Sequence, residues 1–189
     1  MGVTPTEIKA AKVEAILDAA TEAFSACGFA RTSMANIAET AGVSRPALYQ
    51  FFDNREDVFR SVLERMLGRA NAEALDALKG DGPLAARLDG FLQRRFGDIV
   101  ELLAAMPHGA ELIDAHSSIA PDIGHAADVE LRTGLEQSLL RSHDPAAVAR
   151  SLDLLLLGPF GIKNDKPTLP VYRQRLTALA DAVAALLAT

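Results

Sequence analysis

Apolar residues recur along this chain at intervals of three and four, the period of α-helices that bury one face, and no strand-like alternation of useful length is present. Val13, Ile16, Leu17, Ala20, Phe24 and Cys27 form the first stripe, over Lys9 to Cys27, and Gly28 supplies the usual stop. On that stripe Cys27 is a packing residue. After the short link FARTS, Met34, Ile37, Ala38 and Ala41 repeat the pattern over two turns, with Thr32 or Ser33 as the N-cap. Gly42 breaks this second helix, Val43 is a small apolar plug, and Ser44 caps a third helix, roughly Arg45 to Phe52. There Leu48 faces inward, while Arg45, Ala47, Tyr49 and Gln50 lie on the more polar side. A fourth helix begins near Arg55 and runs to about Ala70.

The Gly-rich run KGDGP, Lys79 to Pro83, predicts a sharp turn or linker. Beyond it, Leu84 to Met106 marks a long helix, Glu111 to His116 a short one, and Pro121 to Arg141 another. The segment from Pro145 is apolar nearly all round at Leu152 to Leu157 and needs cover on several sides. In the last helix, Leu169 to Ala188, residues Tyr172, Leu176, Leu179, Val183 and Leu186 make a helix-packing seam. The pattern predicts an all-α protein of about nine helices. Residues 1–70 would be a three-helix bundle plus the start of a connecting helix, and residues 71–189 a larger helical domain. The last two helices, about 146–158 and 169–188, offer more apolar surface than one core needs, which predicts a homodimer through them.

Composition narrows the function classes. A single cysteine excludes an internal disulfide, and the histidines at 108, 116, 125 and 143 are too scattered for a metal motif. No nucleophile elbow, phosphate-binding glycine loop or clustered carboxylate–histidine set is present, so neither an enzyme nor a cofactor is expected. No apolar run approaches the ~20 residues of a membrane span, and the start MGVTPTEIKAAK is polar, so a cytoplasmic location is expected. The net charge of −6 runs against nucleic-acid binding. Its distribution softens the objection: residues 1–70 hold eight Lys and Arg against nine Asp and Glu, whereas residues 71–189 hold eleven against sixteen. Phosphate affinity must then come from a few well-placed groups, and binding by one copy should be weak and salt-sensitive.

The stretch SMANIAETAGVSRPALYQFF supplies such a placement. Two short helices separated by Gly42, Val43 and Ser44 must cross steeply, so the second can protrude into a major groove. Ser44 caps that helix, whose first N–H groups can then face phosphate. With its flanks, ILDAATEAFSACGFARTSMANIAETAGVSRPALYQFFDNREDVF, the segment resembles the tetracycline-repressor (TetR) family of bacterial regulators over about residues 9–70. The resemblance implies a recognition helix formed by Ser44, Arg45, Pro46, Ala47, Tyr49 and Gln50, with Tyr49 on the phosphate backbone or a thymine methyl. It further implies phosphate contacts from Thr32, Ser33 and Arg55, the last standing where lysine is more usual. Ala35, Asn36, Ala47 and Gln50 depart from the family in offering little basic or base-reading character. The implied function is a repressor released from palindromic operator DNA by a small-molecule effector. A regulator answering to a protein partner or to nothing, and an activator, stay open.

Past residue 70 the resemblance is architectural only. Arg95 sits on the inward stripe with Phe91, Leu92 and Ile99, where a buried cation needs an anion: a carboxylate such as Glu111, or the acidic group of a ligand. His108, Leu112 and His116 share a face of the short helix after Pro107. Phe91, Arg95, Ile99, His108, Leu112 and His116 are therefore the candidate ligand-binding residues.

Overall fold

The computed structural model describes residues 4–188; residues 1–3 and 189, which the expected domains include, lie outside the described residues. Among the described residues the chain is all-α. Its helices are α1 Pro5–Cys27, α2 Met34–Thr40, α3 Arg45–Leu48, α4 Arg55–Ala77, α5 Leu84–Leu92, α6 Asp98–Ala105, α7 Gly109–Ile119, α8 Pro121–Leu139, α9 Pro145–Asn164 and α10 Leu169–Leu187. A π-helical turn, Gln93–Gly97, joins α5 to α6 without a break in the chain's helical hydrogen bonding. Side-chain caps start several helices: Thr4 and Glu7 form a reciprocal box on α1, and Asp144 accepts from the Ala147 N–H at 3.0 Å on α9.

Contacts divide the chain into two compact units, each with its own core. The first comprises Met1–Met66 and Leu103–Gly124. Ile16, Ala20, Ile37, Leu48 and Val58 are essentially inaccessible there, and Ala115 of α7 and Ala120 belong to the same cluster. Phe24, Phe29 and Phe59 form an aromatic knot with ring centroids 4.9 to 5.8 Å apart. Phe29 takes the core position that the α1 stripe assigned to Cys27; Cys27 is exposed. The second unit comprises Leu67–Leu102 and His125–Thr189, and its core includes Leu88, Phe91, Leu131, Leu135, Leu155 and Leu176.

Several expectations change. Helix α4 continues unbroken past residue 70 to Ala77, and residues 103–124 pack with the N-terminal unit, so the contacts do not divide the chain at residue 70. Helix α9 passes through Pro159 to Asn164. By length and composition α9 is apolar enough to cross a membrane, contrary to the expectation of no such run. It nevertheless carries Arg150 and Asp153 and seats Val148, Leu152 and Leu155 in the core, as a helix of a globular bundle does. In α10, Tyr172, Leu176 and Val183 are buried within their own unit, so the predicted seam is largely used at home. On these two helices the exposed large apolar residues are instead Leu154, Leu157 and Phe160 of α9 and Val171 of α10.

Candidate nucleic-acid interface

The corner between α2 and α3 is built by backbone chemistry. Gly42 has φ +64°, a conformation that costs an L-residue about 1 kcal/mol or more. That twist lets the Val43 N–H reach Ala38 O at 3.0 Å and the Gly42 N–H reach Glu39 O at 3.1 Å, the paired bonds of a Schellman stop. Ser44 then opens α3 by accepting from the Ala47 N–H at 3.3 Å. Regular helix ends at Leu48, sooner than expected, although turn bonds carry the chain on to Phe52. Leu48 is fully buried and anchors the turn, and Arg45, Pro46, Tyr49 and Gln50 are exposed, Tyr49 by 46%. Ala47 is half-buried beside them. A one-turn helix has little macrodipole, so charge at this surface has to come from side chains.

Two of the expected phosphate ligands face elsewhere. The Thr32 side chain is buried and donates its hydroxyl proton to Gly28 O at 2.7 Å and Ala23 O at 3.2 Å, sealing the end of α1. Arg55 is turned inward as well. Its Nη1 donates to Phe29 O, Ala30 O and Thr32 O at 3.0 to 3.2 Å, and its guanidinium lies 4.2 Å from the Phe29 ring centroid. Nη2 is paired with Glu56 at 3.0 Å. Arg55 is thus a clamp on the loop that delivers α2, an orientation favoured by the three converging carbonyls. Ser33 remains exposed and caps α2 in a reciprocal box with Asn36.

A cation not anticipated by sequence stands near α3: Lys12 of α1, exposed, with Nζ 5.6 Å from the Phe51 ring centroid. Spacing gave no sign of it, because the neighbour is 39 residues away.

Helix α7 holds the same loop from its other side. The Ala30 N–H donates to Glu111 at 2.7 Å, and Arg31 donates to His108 Nε2 at 2.7 Å. Gly28 suits this place because its φ is +78°, and a Cβ there would also push the Glu111 carboxylate aside. Arg60 of α4 donates to Ile119 O at 3.0 Å and to Asp122 at 2.8 Å. That guanidinium pulls the Asp122 carboxyl down to about 2 from its ordinary 3.8. A depressed folded pKa adds stability above the unfolded value and loses it as pH falls through the folded one. Urea denaturation should therefore show the native protein weakening between pH 3.8 and about 2 by a component absent from Asp122→Asn; parallel pH profiles would contradict this.

With this geometry in place, comparison with known proteins identifies it. Residues 16–62, from α1 through α3 into α4, match the model for bacterial regulatory proteins of the tetR family. Over these residues the chain is similar to the tetR family. The Escherichia coli K12 transcriptional repressor ComR is 30% identical over 120 residues, which are 61% of this chain and 54% of ComR. The regulator RutR of the same organism is 43% identical over 77 residues, 40% of this chain and 36% of RutR. The chain thus spans about half or less of the length of these curated relatives. In fold, the likeness runs nearly end to end. A Mesorhizobium loti structure described as a TetR-family transcriptional regulator has a TM-score of 0.68 at 24% identity, covering 93% of this chain and 96% of the other. The complex of SmeT with triclosan has a TM-score of 0.61 at 20% identity, covering 93% of this chain and 90% of the other.

The predicted ligand residues are divided between the two units. Phe91 is fully enclosed in the second core and Ile99 is half-buried. Arg95, in the same unit, is buried and pairs with Asp128 at 2.9 Å; the suggested partner Glu111 belongs to the other unit and serves Ala30. Burial pulls Arg95 below the ordinary arginine value, with Asp128 opposing the shift. His108, Leu112 and His116 lie in the first unit, where His108 holds Arg31, Leu112 packs on the core, and His116 Nε2 is buried without a hydrogen-bond partner beside Gly124.

Proposed function

We propose that this chain is a cytoplasmic transcriptional regulator that binds palindromic operator DNA as a homodimer, represses there, and is released by a small-molecule effector. The observation that carries this is the α2–α3 corner, which anchors α3 through Leu48 and presents Arg45, Pro46, Tyr49 and Gln50 outward. Ser33, Ser44 and Ala47 belong to the same surface, and Lys12 adds a phosphate contact in place of Arg55. The names of the relatives, a repressor and a regulator, support the regulatory role and make an enzyme a poor alternative. SmeT was found with triclosan, which supports a small molecule as effector.

In this reading residues 1–70 recognise DNA and residues 71–189 receive the effector and pair the subunits. Exposed apolar positions favour pairing through α9 and α10. Leu154, Leu157 and Gly161 follow three- and four-residue steps on α9, as do Ala178, Ala182 and Ala185 on α10, with Val171 seven residues before Ala178. A twofold pair sets two recognition helices about one DNA turn apart, ~34 to 36 Å.

Fluorescence anisotropy against genomic promoter duplexes tests the reading. Affinity should fall log-linearly with salt, and Lys12→Ala should reduce the slope by about 1. Tyr49→Ala should weaken binding about tenfold while leaving the thermal midpoint unchanged, because an exposed ring contributes contact area to DNA and little to folding. Equal affinity of native and Tyr49→Ala proteins would count against the assignment.

A further inference from the structure

The second unit contains a half-open cleft of about 210 Å³ between the π-helical turn, α8 and α9. Its apolar walls include Phe96, Leu131, Leu156, Leu157 and Phe160, and His125, Asp128 and Arg132 stand on its α8 side. The aromatic pair Phe96 and Phe160 meets edge to face at a centroid separation of 5.6 Å.

Three observations single this place out. First, the π-helical turn brings the consecutive residues Arg95, Phe96 and Gly97 all into the interior, which regular α-helix, turning about 100° per residue, does not do. Such turns concentrate at functional sites. Second, Arg95 stands behind the cleft wall, 92% of its side chain buried; among the described residues it pairs with Asp128 alone and its Nε has no hydrogen-bond partner. Stability alone favours an apolar residue over a buried arginine so poorly compensated. Third, the two ion pairs balance: Arg95 with Asp128 and Arg132 with Asp153, each at 2.9 Å.

That balance sets the ligand chemistry. A charged guest finds Asp128 and Arg132 already paired, so it gains no unpaired counter-charge from them while losing hydration against the apolar walls. A neutral hydroxyl needs no counter-charge, since it can donate to the Asp128 carboxylate in a charge-assisted bond and accept from Arg132. The volume suits one substituted ring, because a cavity of roughly 150 Å³ lined by similar residues takes up benzene. We propose that this cleft binds a small uncharged phenol: the ring lies among Phe96, Leu156 and Phe160, and the hydroxyl sits on Asp128. The proposal names the effector class of the regulator described above and rests on that reading only for its consequence, release of DNA.

Calorimetric titration of the full chain at neutral pH, without DNA, tests it. 4-Chlorophenol should bind saturably, about tenfold or more tighter than chlorobenzene, which lacks the hydroxyl, and than the charged 4-chlorobenzoate. Val129 lines the cleft and is exposed, so Val129→Trp should fill the space without disturbing the core and weaken binding at least about tenfold. Asp128→Asn should erase the preference for 4-chlorophenol over chlorobenzene; if that variant does not fold, Val129→Trp still decides. Absence of saturable binding, equal binding of the benzoate, or unchanged binding by Val129→Trp overturns the proposal. DNA anisotropy on the same samples separates the two ideas. A protein that binds DNA but no phenol refutes the cleft assignment alone, whereas one that binds phenol but no DNA refutes the regulator reading alone.

Discussion

Arg55→Ala is expected to destabilise the N-terminal unit by about 3 kcal/mol, even though arginine at this position resembles a phosphate ligand. Its guanidinium satisfies three carbonyls of the loop between α1 and α2 and stacks on Phe29. The two Nη1 protons share three acceptors, so about two bonds at about 1 kcal/mol each remain after solvent screening at a side chain 28% exposed, and the Phe29 ring contact adds about 1 kcal/mol. Arg55→Lys keeps the charge but not the planar fork, and should recover about one of these bonds. Urea unfolding together with amide exchange in α2 measures the loss. A free phosphate ligand would behave differently: alanine would leave stability intact and only flatten the salt dependence of DNA binding.

Gly28→Ala should cost a similar amount, about 3 kcal/mol or more, through two separable causes. Gly28 has φ +78° and ψ 167°, a region essentially reserved for glycine, where another residue loses about 1 to 3 kcal/mol. An added methyl also collides with the Glu111 carboxylate and forces it off the Ala30 N–H. Glu111→Ala alone should cost only about 1 kcal/mol, one hydrogen bond at a solvent-exposed site. The double variant should therefore be less destabilised than the sum of the singles, because removing the carboxylate relieves the collision and leaves the backbone strain. Additive losses in a urea double-mutant cycle would mean that Gly28 and Glu111 do not share a contact.

These two residues also show where a sequence stops being informative. Helix periods and the Gly42 corner were readable because they depend on neighbours within one or two turns: the Met34, Ile37, Ala38 stripe, the φ of Gly42 and the cap at Ser44. The direction of Arg55 was not, because its acceptors lie 23 to 26 residues earlier in the chain. Spacing cannot distinguish an arginine that binds a phosphate from one that binds three carbonyls. Thr32 posed the same ambiguity: a hydroxyl at the start of a helix suits a cap, a phosphate ligand or, as here, a seal on the preceding helix.

In the second half the inward stripe correctly put Arg95 inside, and its need for an anion followed from the cost of burying charge. Which carboxylate answers it depended on the π-helical turn, whose one-residue slip no periodicity announces; Asp128 serves and Glu111 does not. The surplus apolar surface was anticipated too, but its location moved. Tyr172, Leu176 and Val183 are consumed by the subunit's own core, leaving Leu154, Leu157 and Phe160 outward.

Selection of bound sequences from a random pool of duplex DNA, with the purified chain as bait, tests the role of α3 most directly. The expected outcome is an inverted-repeat consensus with half-sites about one helical turn apart, its enrichment lost when Tyr49 and Arg45 are both alanine. A pool that stays random, or a consensus that the doubly substituted protein enriches equally well, would contradict recognition of DNA through this helix.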